Sequence, residues 1–324
     1  MITRRLCETA EMLVYDPVAS NRNATRASLH SLGFRRVETC PSLDVLSNRL
    51  RSRCPDLLLV EVAGAEAEAC ALIQALRQGH LGDNPFAVVI VTTWRRDGSI
   101  VTQVLNSGAD DLVARPISTT MLGERIRLIT DRRKGFVVTS DYIGPDRRRN
   151  ARSGGASAEC IEIPNPLRIR SMDSVSEEEA ERQIVESVEL GKLKVNIEKV
   201  RRDAVQLCLQ WRMLEQRTPG ARDFCEILPR IERIAGEMKR RAGAADQTGA
   251  EEWCTAVIES VQALAQIAAK GGESGDGADY RPRLSLLAHS ALTLGQMYAA
   301  EEVAPARLVV LDQLVARRSA RSAA

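Results

Sequence analysis

The sequence predicts an α/β doubly wound parallel sheet of five strands over residues 1–135, followed by a mainly α-helical bundle over 176–320. Three observations carry that expectation. Five short apolar runs alternate with amphipathic segments through the first 130 residues. From about residue 176 the strand signal disappears and apolar residues recur at helical spacing. Between the two lies a stretch rich in Gly, Pro, Ser and Arg, which marks 136–175 as a linker.

In chain order, the strand candidates are "EMLVYD" (11–16), "RRVETC" (35–40), "DLLLVEV" (56–62), "FAVVIVTT" (86–93) and "DLVAR" (111–115). Helical patterns lie between and after them, near 20–32, 42–53, 66–79, 98–107 and 118–132, with Ser42 and Ser99 placed as N-caps. Continuous apolar strands interleaved with helices imply a parallel sheet covered on both faces. Right-handed crossovers then gather the carboxyl ends of the strands, and any site, along one edge. An extended piece docks within the linker at "FVVTSDYIGP" (136–145).

In the helical half, Leu190, Leu193, Ile197, Val200, Ala204, Leu207, Trp211 and Leu214 step alternately by three and four, an apolar seam on one long helix. After the "TPG" break at 218–220, Phe224, Ile227, Ile231, Ile234 and Met238 repeat the spacing, with Pro229 placed to kink that helix. "EEWCTAVIESVQALAQIAAK" gives a third helix, and one or two more follow between about 283 and 318. The long seam predicts a homodimer through this half.

Composition narrows the function classes. The 45 basic and 43 acidic residues nearly cancel, so no whole-chain field favours nucleic acid or an anionic membrane. No apolar run approaches the ~20 residues of a membrane span, and "MITRRLCETAEMLVYD" has no signal-peptide pattern. Eight cysteines at 7, 40, 54, 70, 160, 208, 225 and 254 form no CxxC pair, which points to a reducing cytoplasm and to no zinc site.

With these residues in place, the first half resembles the receiver domain of bacterial two-component response regulators over about residues 11–132. The resemblance implies a flavodoxin-like, CheY-like fold. It also implies a pocket of acids that bind Mg²⁺, a phosphoacceptor Asp, a hydroxyl, and a Lys before Pro. In this sequence Asp16 supplies one acid and Pro17 occupies the place of the second. Glu61, 45 residues after Asp16, stands at the phosphoacceptor position. Thr93 (or Thr92) offers the hydroxyl, followed by Trp94, whose indole is positioned to cover the pocket. Arg115 and Pro116 replace Lys-Pro, and Leu112 takes the place of the switch aromatic.

These departures make a degenerate phosphoacceptor site. Glu is one methylene longer than Asp, a shift of about 1.5 Å, and positioning errors near 1 Å can cost about a hundredfold in rate. Pro17 removes a hard oxygen ligand, leaving Asp16 as the residual metal carboxylate, so no cofactor is expected. The forked guanidinium of Arg115 can clamp a carboxylate where Lys offers a point charge. Glu61 is therefore expected as a fixed partner of Arg115 or Thr93, and the chain as a non-enzymatic pseudo-receiver working through signalling proteins, a histidine kinase or another regulator. A phosphoacceptor with altered chemistry at Glu61 is the first alternative.

A second alternative uses Arg147, Arg148, Arg149 and Arg152 in "DYIGPDRRRNAR" to bind a phosphate-bearing ligand such as a cyclic dinucleotide. Arg148 and Arg152 have RxxxR spacing, but the companion DxSxxG element is missing. The competing reading is a solvated charge run. His289 resembles the histidine of a phosphotransfer helix, although Leu292 stands where such helices have Lys; it is read as a packed or surface residue. Trp211 and Trp253 are read as core or interface. No basic face or helix-turn-helix spacing argues for DNA.

Overall fold

A computed structural model of the chain describes residues 3–95, 97–147, 160–172, 174–217, 221–244, 249–269 and 280–304. It begins with a short helix α1 (Arg4–Thr9), capped by the Thr3 hydroxyl, which accepts from the Leu6 N–H. β1 (Glu11–Tyr15), α2 (Ala19–Ser31) and β2 (Arg36–Cys40) follow. Ser42 caps α3 (Leu43–Ser52), as its place before an amphipathic run predicts. Next come β3 (Leu57–Glu61), α4 (Glu66–Arg77) and β4 (Val88–Thr93). α5 (Gly98–Ser107) is capped by Asp97 and not by Ser99. The Asp97 carboxylate accepts from the Ile100 N–H, and Ser99 lies inside the helix, donating its hydroxyl to Asp97. β5 (Asp111–Ala114) and α6 (Thr119–Arg132) complete the alternation.

The five strands form one sheet in the order β2-β1-β3-β4-β5, every pair parallel. Successive residues of β3 and β4 face opposite ways. Leu58, Val60, Val89 and Val91 enter one buried cluster, and Leu57, Leu59, Val88 and Ile90 another. β3 and β4 are thus buried on both faces, and continuous apolar runs are what that position requires.

The stretch 136–175, expected as a linker, carries structure of its own. β6 (Phe136–Val138) pairs antiparallel with β7 (Ile143–Pro145), at the place of the expected extended piece, and with β8 (Cys160–Ile161). Arginine side chains hold this small sheet. The guanidinium groups of Arg77 and Arg133 lie 5.1 and 5.5 Å from the Phe136 ring centroid, and both donate to the buried Asp110 carboxylate at 2.8 Å. Close backbone approach requires glycine here: a Cβ on Gly144 would fall 2.7 Å from the Gly108 Cα. α7 (Pro166–Arg170) is tied down at both ends. Asn165 donates to the Ile129 and Thr130 carbonyls, and Arg170 donates to Asp56 at 2.6 Å.

The chain divides into two compact units, Met1–Lys192 and Leu193–Ala324, with the boundary inside the long helix α8 (Glu177–Glu215) and not at residue 176. In the second unit α9 (Arg222–Ala244), α10 (Ala250–Ala269) and α11 (Tyr280–Ala299) enclose an apolar core with the later turns of α8. α9 continues through Pro229, which stands beyond its first turn. The seam divides: Val200, Ala204, Leu207, Trp211 and Leu214 are buried in that core, whereas Leu190, Leu193 and Ile197 are exposed. Part of the helical continuation expected to 318 lies outside the described residues. No helix among the described residues is long and apolar enough to cross a membrane.

Candidate functional site

Parallel strands bring their carboxyl ends to one edge, and four of them deliver the pocket. Asp16 follows β1, Glu61 ends β3, Thr92 lies directly across from Glu61 on β4, and Arg115 follows β5. All four are buried, Asp16 fully and Glu61 to 3% exposure. The Arg115 guanidinium joins them. Its Nε donates to Glu61 Oε2 at 2.7 Å, and its Nη2 donates to Asp16 Oδ2 at 3.2 Å and to the Thr25 hydroxyl at 3.1 Å. The Thr92 hydroxyl donates to the same Glu61 Oε2 at 2.7 Å, and the Ala63 N–H donates to Oε1 at 3.0 Å. Both carboxylate oxygens of Glu61 are therefore engaged.

The other acid is held as closely. Asp16 Oδ1 accepts from the Val18 N–H at 2.9 Å, while Arg22 donates to the Asp16 backbone carbonyl at 2.6 Å. Burial pushes the Asp16 carboxyl above its ordinary range, and the hydrogen bond from Val18 and the Arg115 charge only partly offset it. Two carboxylates and one guanidinium in a buried space make each contact strong and its removal costly.

Glu61 is thus the fixed partner of Arg115. Its hydroxyl partner is Thr92, and the expectation of Thr93 is corrected. The Thr93 hydroxyl instead accepts from the Arg95 N–H at 3.1 Å. Neighbouring strand residues point to opposite faces, so the choice turns on one residue of register. Trp94, placed to cover the pocket, is half exposed. Pro17 and Pro116 are exposed, and Leu112 packs partly buried against the sheet core. Thr25 was not anticipated; its signal is a small hydroxyl residue on the inner side of α2, nine positions after Asp16.

The donor set does not fit Mg²⁺. A hard divalent ion needs several free oxygen ligands, but Pro17 brings none and Arg115 places a cation on both remaining carboxylates. Among the described residues no group of three or more His, Cys, Asp or Glu is placed to hold a metal. Of the arginines in 147–152, Arg147 donates to the Ala109 carbonyl; Arg148, Arg149 and Arg152 lie outside the described residues. His289 is exposed on α11, its ring edge-on to Trp253 at 5.3 Å. Trp211 is core, and Trp253 packs at the core's margin.

Comparison with known proteins finds similarity over the first part of the chain. The chain is 31% identical over 115 residues to the phosphate regulon transcriptional regulatory protein PhoB of Rhizobium meliloti (strain 1021), covering 36% of this chain and 49% of that protein. The chain therefore spans about half the length of this curated relative. A response regulator from Thermotoga maritima is similar at 25% identity and a TM-score of 0.35, over 39% of this chain and all of that one. The signal receiver domain of a response regulator from Bermanella marisrubri is similar at 20% identity and a TM-score of 0.33, over 37% of this chain and 97% of that one. No family model matches. The five-stranded parallel sheet in 2-1-3-4-5 order is a flavodoxin-like fold, and the N-terminal part of the chain is similar to response-regulator receiver domains of the CheY-like type. A mainly helical region follows it.

Proposed function

We propose that this chain is a signal-transduction protein of the two-component type whose receiver works by protein–protein interaction and not by accepting phosphate. One observation carries the reading: the Arg115 guanidinium bridges Glu61 and Asp16, with Thr92 on the same Glu61 oxygen. Phosphoryl transfer needs an in-line nucleophile and cationic help at the equatorial oxygens. Here the nucleophile's oxygens are spent on internal donors, and the cation is a side chain already paired. The domain is held in one arrangement, and what it presents to a histidine kinase or another regulator is a fixed surface. The transcriptional role in PhoB's name belongs to that protein, and the similarity covers 115 residues.

Intact-mass measurement after incubation with acetyl phosphate and Mg²⁺ tests the reading. No phosphoryl adduct is expected. A Mg²⁺-dependent adduct that disappears in Glu61→Gln would overturn it and establish a phosphoacceptor of altered chemistry.

A further inference from the structure

The first residues of "DYIGPDRRRNAR" build a structure that the proposed function does not use. The Tyr142 hydroxyl donates to the Pro145 carbonyl at 3.0 Å, which folds its side chain back over Gly144. A Cβ at Gly144 would fall 2.6 Å from the Tyr142 hydroxyl oxygen, so this fold-back requires glycine. Arg147 donates through Nη2 to the carbonyl of Ala109, between α5 and β5. Tyrosine, glycine, proline and arginine thus fix the end of the β6–β7 hairpin beside the end of α5.

The same residues shape a cleft. Leu105 of α5, Val137 of β6, Tyr142, Pro145 and Arg147 line a space of about 320 Å³. Small-molecule sites run from about 300 to 1,000 Å³, so this one suits a compact ligand. Its walls are an aromatic ring, a proline and two aliphatic side chains, with one guanidinium among them. The buried guanidinium groups of Arg77, Arg115, Arg133 and Arg170 in this unit each meet a carboxylate. Arg147 is half-buried beside the Tyr142 hydroxyl, and its buried Nε has no acceptor. It pairs with no carboxylate among the described residues. Asp146, also on the lining, is engaged by interactions of its own. A cation drawn partly out of water without a counter-charge is costly, and an anion would relieve that cost. The arginine fork matches the oxygens of a carboxylate or phosphate, while the ring of Tyr142 offers a flat apolar face.

We propose that the cleft between the end of α5 and the β6–β7 hairpin binds a small aromatic acid. Arg147 holds its carboxylate or phosphate, and Leu105, Val137, Tyr142 and Pro145 enclose its ring.

Ligand-observed NMR titration of the full chain tests this with three probes: naphthalene-2-carboxylate, 2-naphthyl phosphate and the neutral naphthalene-2-carboxamide. At least one acid should bind with a Kd of about 1 mM or below, and the amide about tenfold more weakly or worse. The tighter acid identifies the anion as carboxylate or phosphate. Arg147→Met should weaken that acid by about tenfold or more and leave the amide unchanged. Because Arg147 also anchors the hairpin, Leu105→Trp is the second variant. It should fill the cleft and abolish binding of the acid while keeping the circular dichroism and thermal melt of the wild type. Acids that fail to bind, an amide that binds as tightly as they do, or acid binding that survives either folded variant overturns the site.

Discussion

Replacing Arg115 by Met tests the buried network most directly. Met is similar in length and apolar, so the variant fills much of the same space while removing a guanidinium that makes three side-chain hydrogen bonds. Two carboxylates remain, Asp16 fully buried and Glu61 nearly so, without their shared cation. Breaking a buried pair by deleting one partner costs about 3–5 kcal/mol. Hydrogen exchange of peptides covering β3 and β4 in the intact chain reads this locally. At about tenfold per 1.4 kcal/mol, exchange through opening of the sheet should speed up from roughly a hundredfold to several thousandfold.

The loss has a pH signature. Asp16 already titrates above its ordinary range through burial, and removing Arg115 pushes it further up. A carboxyl whose folded pKa exceeds its unfolded value contributes stability below the unfolded pKa and loses it as pH rises through the folded one. The deficit of the variant should therefore be largest near neutrality and shrink as the pH falls toward the ordinary carboxylate range. A deficit below about 1 kcal/mol, or one equal at acid and neutral pH, would show that the network is not a desolvated ion pair. The account of a locked pocket would fall with it.

Three further outcomes follow from the packing. Leu207 is fully buried in the helical core, so Leu207→Asp should unfold that unit, at about 4 kcal/mol or more, with loss of helical circular dichroism and not mere dissociation into folded monomers. Arg133→Ala should destabilise the first unit by about 3 kcal/mol in urea titrations, since Arg133 also donates to the Phe86, Ala87 and Pro164 carbonyls. Burial alone would raise Asp110, but Arg133 and Arg77 hold it below the usual carboxylate range; its contribution is present above that range and lost in acid, and Arg133→Ala should flatten this acid dependence. In the helical unit, burial pushes Asp203 up to about 6 against the pull of Lys199. Stability should rise as pH falls through about 6, and Lys199→Met with Asp203→Leu should stabilise by on the order of 1–3 kcal/mol and abolish that rise in thermal melts.

What the sequence disclosed depended on whether the deciding physics was local. The central strands were legible because burial on both faces leaves continuous apolar runs, as in "DLLLVEV". The pairing of Glu61 with Arg115 was legible because a longer acid and a forked cation stand at positions that strand order brings to one edge. Thr92 and Thr93 could not be separated, since one residue of register reverses the face. The short strands β6 to β8 left no periodicity to read, and their anchors are distant. Arg77 in "LIQALRQG" gives no sign that its partner is Asp110 or that both wait for Phe136. Nor does a heptad spacing say how far along a helix its cover extends, so the division of the α8 seam at Val200 was beyond reach.

The substitutions in the pocket make better sense together than singly. An aspartate at position 61 would end about 1.5 Å short of the point where Oε2 meets the Thr92 hydroxyl and Arg115 Nε, each at 2.7 Å. A lysine at 115 carries one point charge, whereas the planar fork of arginine engages Glu61 through Nε and reaches Asp16 and Thr25 through Nη2. The longer acid and the forked base thus complete each other. Buried ion pairs are weak contributors to net stability compared with an apolar replacement, so stability alone does not account for keeping this one. What the arrangement does supply is a single geometry: both carboxylate oxygens of Glu61 have donors, and each donor sits on a different segment of the chain. β4 contributes Thr92, the turn after β3 contributes Ala63, and the segment after β5 contributes Arg115. A phosphoacceptor must exchange partners when it is modified. A carboxylate tied to three segments at once has no free position from which to begin that exchange, and this is the physical sense of the proposal that the domain is held in one arrangement.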